Sequence, residues 1–220
     1  MKERFKLIVA DPPWGFGDKL TMSSVKRGAA SQYSTLTVDQ LCALGPLYLK
    51  DCTSFSSILG LWVPASLLED GLKVMDAWGF TLKQVWPWVK TSIKTVIPED
   101  DGELPFQKGR SGLTPGRLGF GMGRLGRSCS EIALVGTRGK VYQDVAVRNI
   151  RSIVWGPIRA HSAKPDMFQE KLQRIYPLGP RLELFGRRPL EGWTVVGNEG
   201  PDSMGEDIRD TLNRMRKEVL

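Results

Sequence analysis

Three features of the sequence predict an α/β domain built on a mainly parallel sheet. Apolar runs of strand length recur along the chain, amphipathic runs of helix length separate them, and Gly, Pro or a capping residue closes most of both. At 220 residues the chain can bury a substantial core without disulfides or a structural metal. The expectation is a single domain over 1–220, with mobile loops near 15–35 and 94–127.

The first strand covers 5–10. Its apolar run ends in Asp11-Pro12-Pro13, as expected of a buried parallel strand opening into a rigid loop. Residues 15–35 are rich in Gly, Ser and Thr and read as a long loop. A short helix follows over 36–44, with Thr37 as cap and Gln40 at the capping-box position. A second buried strand covers 57–63. Pro64 then introduces a helix over 65–78, with Leu68, Leu72, Met75 and Ala77 as its apolar stripe and Gly79 as its terminator.

Residues 80–90 return to strand and carry the aromatic edge Trp86-Pro87-Trp88. The stretch 94–127 has Gly and Pro throughout and little apolar periodicity, so it reads as a long loop or lid. Strands are expected over 131–137 and 152–155. Pro165 lies in the first turn of a helix whose inward residues are Met167, Leu172 and Ile175. Two short strands, 182–185 and 194–196, precede a charged helix over 208–220 with Leu212, Met215 and Val219 apolar.

Composition narrows the chemistry. Three scattered cysteines (Cys42, Cys52, Cys129), one histidine and no CxxC pair suggest a reducing compartment, with no metal site. The charged start and the short apolar run 7–10 do not make a signal peptide or a membrane span, so a cytoplasmic protein is expected. The net charge is +7, and residues 101–160 hold ten basic side chains against four acidic ones. A stretch so basic suits a polyanion, although a solvated basic surface would look the same.

Two strand ends carry unusual polar groups, and ligands of open α/β sheets bind beyond the carboxyl ends of strands. At Asp11-Pro12-Pro13-Trp14 the prolines fix φ and remove donors, presenting carbonyls, a carboxylate and an indole face. Such an array suits an exocyclic amine: Asp11 and the Pro12 carbonyl can accept its two hydrogens while Trp14 stacks on a planar base. Accepting those hydrogens frees a lone pair otherwise delocalised into the ring. A tight turn with a capping Asp is the plainer alternative. At the second strand end, Arg187 with Asn198 and Glu199 could hold a cofactor bearing ribose hydroxyls and a charged amino-acid tail. Neither GxGxxG nor GxxxxGK[ST] occurs, so dinucleotide and P-loop readings fall away. Trp62, Trp78, Trp86, Trp88, Trp155 and Trp193 read as core or edge packing, and His161 and Cys129 as structural or inert.

These residues form an ordered series. It runs through Val9-Ala10-Asp11-Pro12-Pro13-Trp14, Tyr33-Ser34-Thr35-Leu36, Leu61-Trp62-Val63, Ala77-Trp78-Gly79-Phe80 and Val135-Gly136-Thr137-Arg138-Gly139-Lys140. It continues through His161-Ser162-Ala163-Lys164-Pro165-Asp166, Leu182-Glu183-Leu184-Phe185-Gly186-Arg187, Gly192-Trp193 and Gly197-Asn198-Glu199. Across nearly its whole length the chain resembles the N6-adenine methyltransferase family. That family includes the catalytic subunit of the messenger-RNA adenosine methyltransferase and many bacterial and phage DNA-adenine methyltransferases. The resemblance implies a Rossmann-like methyltransferase fold with the catalytic motif N-terminal to the cofactor-binding motif, and S-adenosyl-L-methionine as cofactor. By that likeness Asp11, Pro12, Pro13 and Trp14 form the catalytic loop. Val9, Ala10, Asp11, Lys164, Glu183, Phe185, Arg187, Asn198 and Glu199 would meet the cofactor, Lys164 toward its carboxylate and Asn198 and Glu199 around its ribose. Trp14, Tyr33, Arg117, Arg124, Arg127 and Glu131 would meet the substrate.

One departure bears on the base pocket. Relatives carry paired aromatics before an Arg and a Glu, whereas here Arg124-Leu125 precede Arg127 and Glu131. An Arg there could meet a phosphate in place of stacking on a base. The expected activity is methylation of adenine N6 in DNA, on a target base taken out of the duplex stack. The alternatives are RNA as substrate, or a catalytically inactive methyltransferase-like subunit that binds nucleic acid. DNA is preferred because the chain is small and resembles a stand-alone bacterial or phage enzyme, acting in the host cytoplasm if phage-encoded, as monomer or homodimer. A transcriptional regulator would need a helix-turn-helix pair, and none is legible.

Overall fold

The computed structural model of the chain describes residues 3–15, 35–99, 103–109, 112–121, 125–159 and 163–219. The expected mobile segment 15–35 therefore lies almost wholly outside the described residues, as do Tyr33, Arg124 and His161.

The main sheet has seven strands: β1 (Phe5–Ala10), β2 (Thr53–Val63), β3 (Thr81–Thr91), β6 (Ser130–Arg138), β7 (Val154–Pro157), β8 (Arg181–Leu184) and β9 (Trp193–Val196). Their order is β7-β3-β6-β2-β1-β8-β9. The pairs β1–β2, β1–β8, β3–β7 and β8–β9 are parallel. Among the described residues, five α-helices accompany them: α1 (Val38–Leu44), α2 (Lys50–Cys52), α3 (Leu68–Ala77), α4 (Met167–Ile175) and α5 (Ile208–Val219). This is the mostly parallel, helix-flanked sheet that the Rossmann-like expectation required. Among the described residues, no helix is long and apolar enough to cross a membrane.

The chain divides into two compact units, and β3 and β6 run through both. The first holds Met1–Lys83, Leu134–Val141 and Leu178–Leu220. Its core is the apolar middle of the sheet: Leu7, Ile8, Leu59, Leu61, Leu182, Leu184 and Val195 are essentially inaccessible. Helix α1 starts with the expected capping box. Thr37 Oγ1 accepts from Gln40 N–H at 3.2 Å while Gln40 Oε1 accepts from Thr37 N–H at 2.9 Å, an arrangement worth about 1 kcal/mol. After α1 the chain widens into a π turn, Gly45–Leu49, around Pro46, which lacks the N–H for an α-helical bond.

Helix α3 ends in a Schellman motif. Gly79 N–H donates to Asp76 O and Phe80 N–H to Met75 O, with Gly79 at φ +79°, a left-handed conformation that favours glycine. The buried face of α3 differs from the sequence expectation. Gly71, Val74 and Met75 point inward, whereas Leu68 and Leu72 remain 38% and 37% exposed. The reason lies in the approach to β2, since a Cβ at Gly71 would sit 2.6 Å from Cγ2 of Val63. The helix turns its smallest residue, not its leucines, toward the sheet. At the other end of β6, Arg138 ties three elements together. It donates to Thr53 Oγ1 at 2.6 Å, Ser54 O at 2.8 Å and Trp78 O at 3.4 Å, and lies 4.8 Å from the Phe80 ring centroid.

The second unit holds Gln84–Ala133 and Tyr142–Pro177. Trp88 is buried against β7 and its indole N–H donates to Gly156 O at 3.0 Å. Trp86 meets Phe168 of α4 edge-on at 5.8 Å. The buried Lys171 donates to Arg151 O and Ile153 O, so α4 turns Phe168, Gln169, Lys171 and Leu172 inward; of the expected stripe only Leu172 is buried. The 94–127 segment is not simply a loop. It contains the antiparallel hairpin β4 (Phe106–Gly109) and β5 (Gly112–Pro115), paired from Phe106–Pro115 to Gly109–Gly112. Of the tryptophans expected to pack, Trp62, Trp78, Trp86, Trp88 and Trp193 are buried, and Trp155 on β7 is half-buried.

The close approach at Gly71 reverses the usual effect of a helical Gly→Ala change, which ordinarily stabilises by about 1 kcal/mol. Val63 is β-branched and stiff, so Gly71→Ala is expected to destabilise by about 1–3 kcal/mol. A urea midpoint that falls at constant m-value would show it; a raised midpoint would contradict this packing.

Candidate active site

The last rung of the β1–β8 ladder positions the first strand end. Val9 lies opposite Glu183 and Ala10 opposite Leu184, and Asp11 N–H donates to Leu184 O at 3.2 Å. Asp11 is thus held as a strand residue and is half-buried. Beyond it the loop folds on itself. Trp14 N–H donates to Pro12 O at 2.9 Å, and Leu36 N–H donates to Pro13 O at 3.0 Å. The Pro12 carbonyl keeps its second lone pair. Trp14 is 4% exposed, and its indole N–H donates to Trp62 O at 2.9 Å. The ring expected to present a stacking face is therefore an anchor here, fastening the loop to β2.

The second strand end is built from close backbone packing. Phe185, directly after β8, has φ +66°, a conformation uncommon for a residue with a side chain, and its N–H donates to Val196 O. A Cβ at Gly197 would lie 2.7 Å from Gly186 O, and one at Gly200 would lie 2.6 Å from Gly197 N. Only glycine lets these turns close. Ser203 Oγ accepts from Gly197 N–H at 2.9 Å and Asp202 Oδ2 from Val195 N–H at 2.6 Å, pinning the loop from below. Arg187, Asn198 and Glu199 stand exposed on this frame. A guanidinium, an amide and a carboxylate over glycine turns fit a nucleoside cofactor with ribose hydroxyls and a charged tail.

A third cluster lies in the second unit. Glu131 Oε1 is 2.7 Å from Lys90 Nζ, and its Oε2 is 3.4 Å from Lys164 Nζ. The two lysines are 14% and 13% exposed at the side chain and the glutamate 28%. Burial alone pushes the Glu131 carboxyl up, but the Lys164 charge, then the Lys90 hydrogen bond and charge, outweigh it and hold the group below its ordinary 4.5. Lys90 Nζ also lies 5.2 Å from the Trp88 ring centroid. Arg117 and Arg127 are exposed nearby in sequence, and Arg127 covers the Phe120 ring.

The structure therefore gathers Val9, Ala10, Asp11, Pro12, Pro13, Trp14, Glu183, Phe185, Arg187, Asn198 and Glu199 at strand ends of the first unit. It joins Glu131 and Lys164 as partners in the second. Lys164, expected toward a cofactor carboxylate, is engaged by Glu131 in this structure. Sequence reasoning missed Lys90. Its signal was a lysine closing a buried aromatic strand, Trp86-Pro87-Trp88-Val89-Lys90, where a charge calls for a partner.

The MT-A70 family model matches residues 5–112 and 115–199 of this chain. The type II methyltransferase M.MunI of Mycoplasma sp is 26% identical over 217 residues, covering 92% of this chain and 80% of that protein. The human N(6)-adenosine-methyltransferase catalytic subunit METTL3 is 27% identical over 199 residues, 89% of this chain and 28% of that protein. An Arabidopsis thaliana N(6)-adenosine-methyltransferase MT-A70-like protein is 27% identical over 221 residues, 98% of this chain and 27% of that protein. The chain thus spans most of the bacterial relative but only about a quarter of the plant and human ones.

Glu131→Gln would remove the carboxylate that two largely buried ammonium groups share, at an expected cost of about 2 kcal/mol at neutral pH. Because the folded carboxyl titrates below its unfolded value, this contribution is complete above about pH 4.5 and is lost as pH falls through the lowered folded value. Denaturant titrations of both proteins between pH 7 and pH 3 should show the gap constant, then closing. A gap that widened with acid would refute this reading.

Proposed function

The chain belongs to the MT-A70 family, and from that premise we propose that it methylates the N6 amine of adenine in DNA with S-adenosyl-L-methionine as donor. The observation that carries the proposal is Asp11, intact and held by its N–H on Leu184 O, one residue before the β8 turn that leads to Arg187. A carboxylate at the carboxyl end of a parallel strand, where ligands of open α/β sheets bind, suits the activation of an amine.

The amine of adenine is a poor nucleophile because its lone pair belongs to the ring. The Asp11 carboxylate and the free lone pair of the Pro12 carbonyl accept its two hydrogens and draw the nitrogen toward tetrahedral geometry. The two prolines hold these acceptors before substrate arrives, so little reorganisation is needed. Trp14 keeps the loop fixed through Trp62. The cofactor, when bound, supplies an electrophilic methyl group on a sulfonium. Asn198 and Glu199 are assigned to its ribose hydroxyls, and Arg187 to its charged tail. The methylated nitrogen loses its extra proton readily, to Asp11 or to water, so no further base is needed.

DNA is preferred over RNA on two grounds. The chain covers 80% of a bacterial type II methyltransferase but 28% of the human adenosine methyltransferase catalytic subunit it also resembles. The basic excess of residues 101–160 supplies phosphate contacts within the chain itself. The assay is incubation with labelled S-adenosyl-L-methionine and matched single-stranded DNA, duplex DNA or RNA, followed by nucleoside analysis. N6-methyladenine only in the RNA arm would replace the substrate, and no labelled nucleoside in any arm would end the proposal.

Two variants test the assignments. Asp11→Ala is expected to lose at least about 100-fold in kcat, since its hydrogen bond strengthens in the transition state. Cofactor affinity by calorimetry should change far less. Asn198→Ala should instead raise the cofactor Kd about 10-fold by removing a hydrogen bond. Parent-like turnover of Asp11→Ala at saturating cofactor would remove Asp11 from the chemistry.

A further inference from the structure

Phe120 is 76% exposed, and the Arg127 guanidinium lies 4.6 Å from its ring centroid. Neither residue hangs on a slack loop. Ser92 N–H donates to Arg117 O at 2.8 Å, Gly119 N–H to Lys90 O at 2.6 Å and Lys90 N–H to Cys129 O at 2.8 Å, while Gly121 N–H donates to Ser128 O at 2.9 Å. These bonds lace both flanks of the pair onto the end of β3. The residues on either side of Phe120 are glycines for a steric reason. A Cβ at Gly119 would press on Lys90 at 3.1 Å, and one at Gly121 would run into Ser128 O. Close backbone packing thus presents one aromatic side chain, cation on its face, to solvent. Leu118 and Leu125 are exposed beside it in sequence.

Leu118, Phe120 and Leu125 are exposed within one short stretch, and the charge around them indicates the kind of partner they suit. Arg117 and Arg127 are exposed, and the region carries most of the chain's basic excess. An aromatic face beside guanidinium groups suits a nucleobase with its attached phosphate better than an apolar protein face, which would have to bury unpaired cations. We propose that Phe120, held by Arg127, is a stacking platform for an unpaired base of the bound strand. The inference rests on the nucleic-acid reading above and adds the residues that grip the strand. Lys90 links the two clusters of this unit, since its carbonyl holds Gly119 and its ammonium holds Glu131.

The test separates base from phosphate. Fluorescence anisotropy would measure binding of a labelled single strand of fifteen thymidines and of an abasic strand of equal length and charge. The wild-type protein should prefer the thymidine strand about 10-fold. Phe120→Ala should lose that preference with its salt dependence unchanged, and Phe120→Trp should keep it. Arg127→Ala should lower the salt slope on both strands by about 0.7. The platform is overturned if Phe120→Ala weakens both strands alike or neither, or if the wild type binds neither. It is also overturned if sedimentation shows Phe120→Ala splitting a dimer, which would make this face a contact between protein copies. Because stacking is read without turnover, its failure is distinct from failure of the methylation assay.

Discussion

The bond from Asp11 N–H to Leu184 O determines what the sheet can present at its carboxyl end. It extends the β1–β8 register by one residue past the last apolar side chain, so the carboxylate leaves the ladder where the apolar wall stops. A slip of one residue would exchange the faces of Val9 and Ala10 and move Asp11 to the opposite side. The same register places Glu183 beside Val9 and delivers the chain into the left-handed Phe185 and the glycine turn. Two loops distant in sequence owe their proximity to this one pairing.

What lies beyond the ladder is rigid by different means. The prolines remove backbone freedom at positions 12 and 13, and the indole of Trp14 spends its hydrogen bond on Trp62 O. On the β8–β9 side rigidity comes from absent side chains: Gly197 and Gly200 pack backbone on backbone and Gly186 lies against the Val195 and Glu183 side chains, with Ser203 and Asp202 satisfying the N–H groups. Preorganised acceptors and a preorganised polar frame are what a reaction with a weak nucleophile needs, because the energy of ordering them has been met during folding.

In the second unit a single lysine has both structural and electrostatic consequences. Lys90 lies near the end of β3 in a setting of buried tryptophans, and Glu131 meets its charge while also pairing with Lys164. The Lys90 backbone meanwhile anchors the segment carrying Phe120 and Arg127. Arg117 and Arg127, part of the basic excess visible in the composition, thereby stand on a hydrogen-bonded segment.

The core strands are legible in the sequence as apolar runs with sharp endings: β1 appears with the expected bounds, Phe5–Ala10, whereas β2 begins at Thr53, ahead of the expected 57. The capping box at Thr37 and the helix stop at Gly79 are equally local, being contacts within five residues. The β4–β5 hairpin was not legible, since Phe106–Gly109 and Gly112–Pro115 show neither alternation nor a strongly apolar face. The inward face of α3 was misjudged for a related reason: hydrophobicity favours Leu68 and Leu72, but the distance to Val63 admits only Gly71. The pairing of Glu131 with Lys90 and Lys164 spans 41 and 33 residues, and the burial of Trp14 depends on Trp62, 48 residues away. The sequence by itself determined which residues could do chemistry and where strands would end, because those follow from short-range propensity and residue type. Which side chains face each other was decided only in the tertiary structure, because register and interatomic distance belong to no single segment.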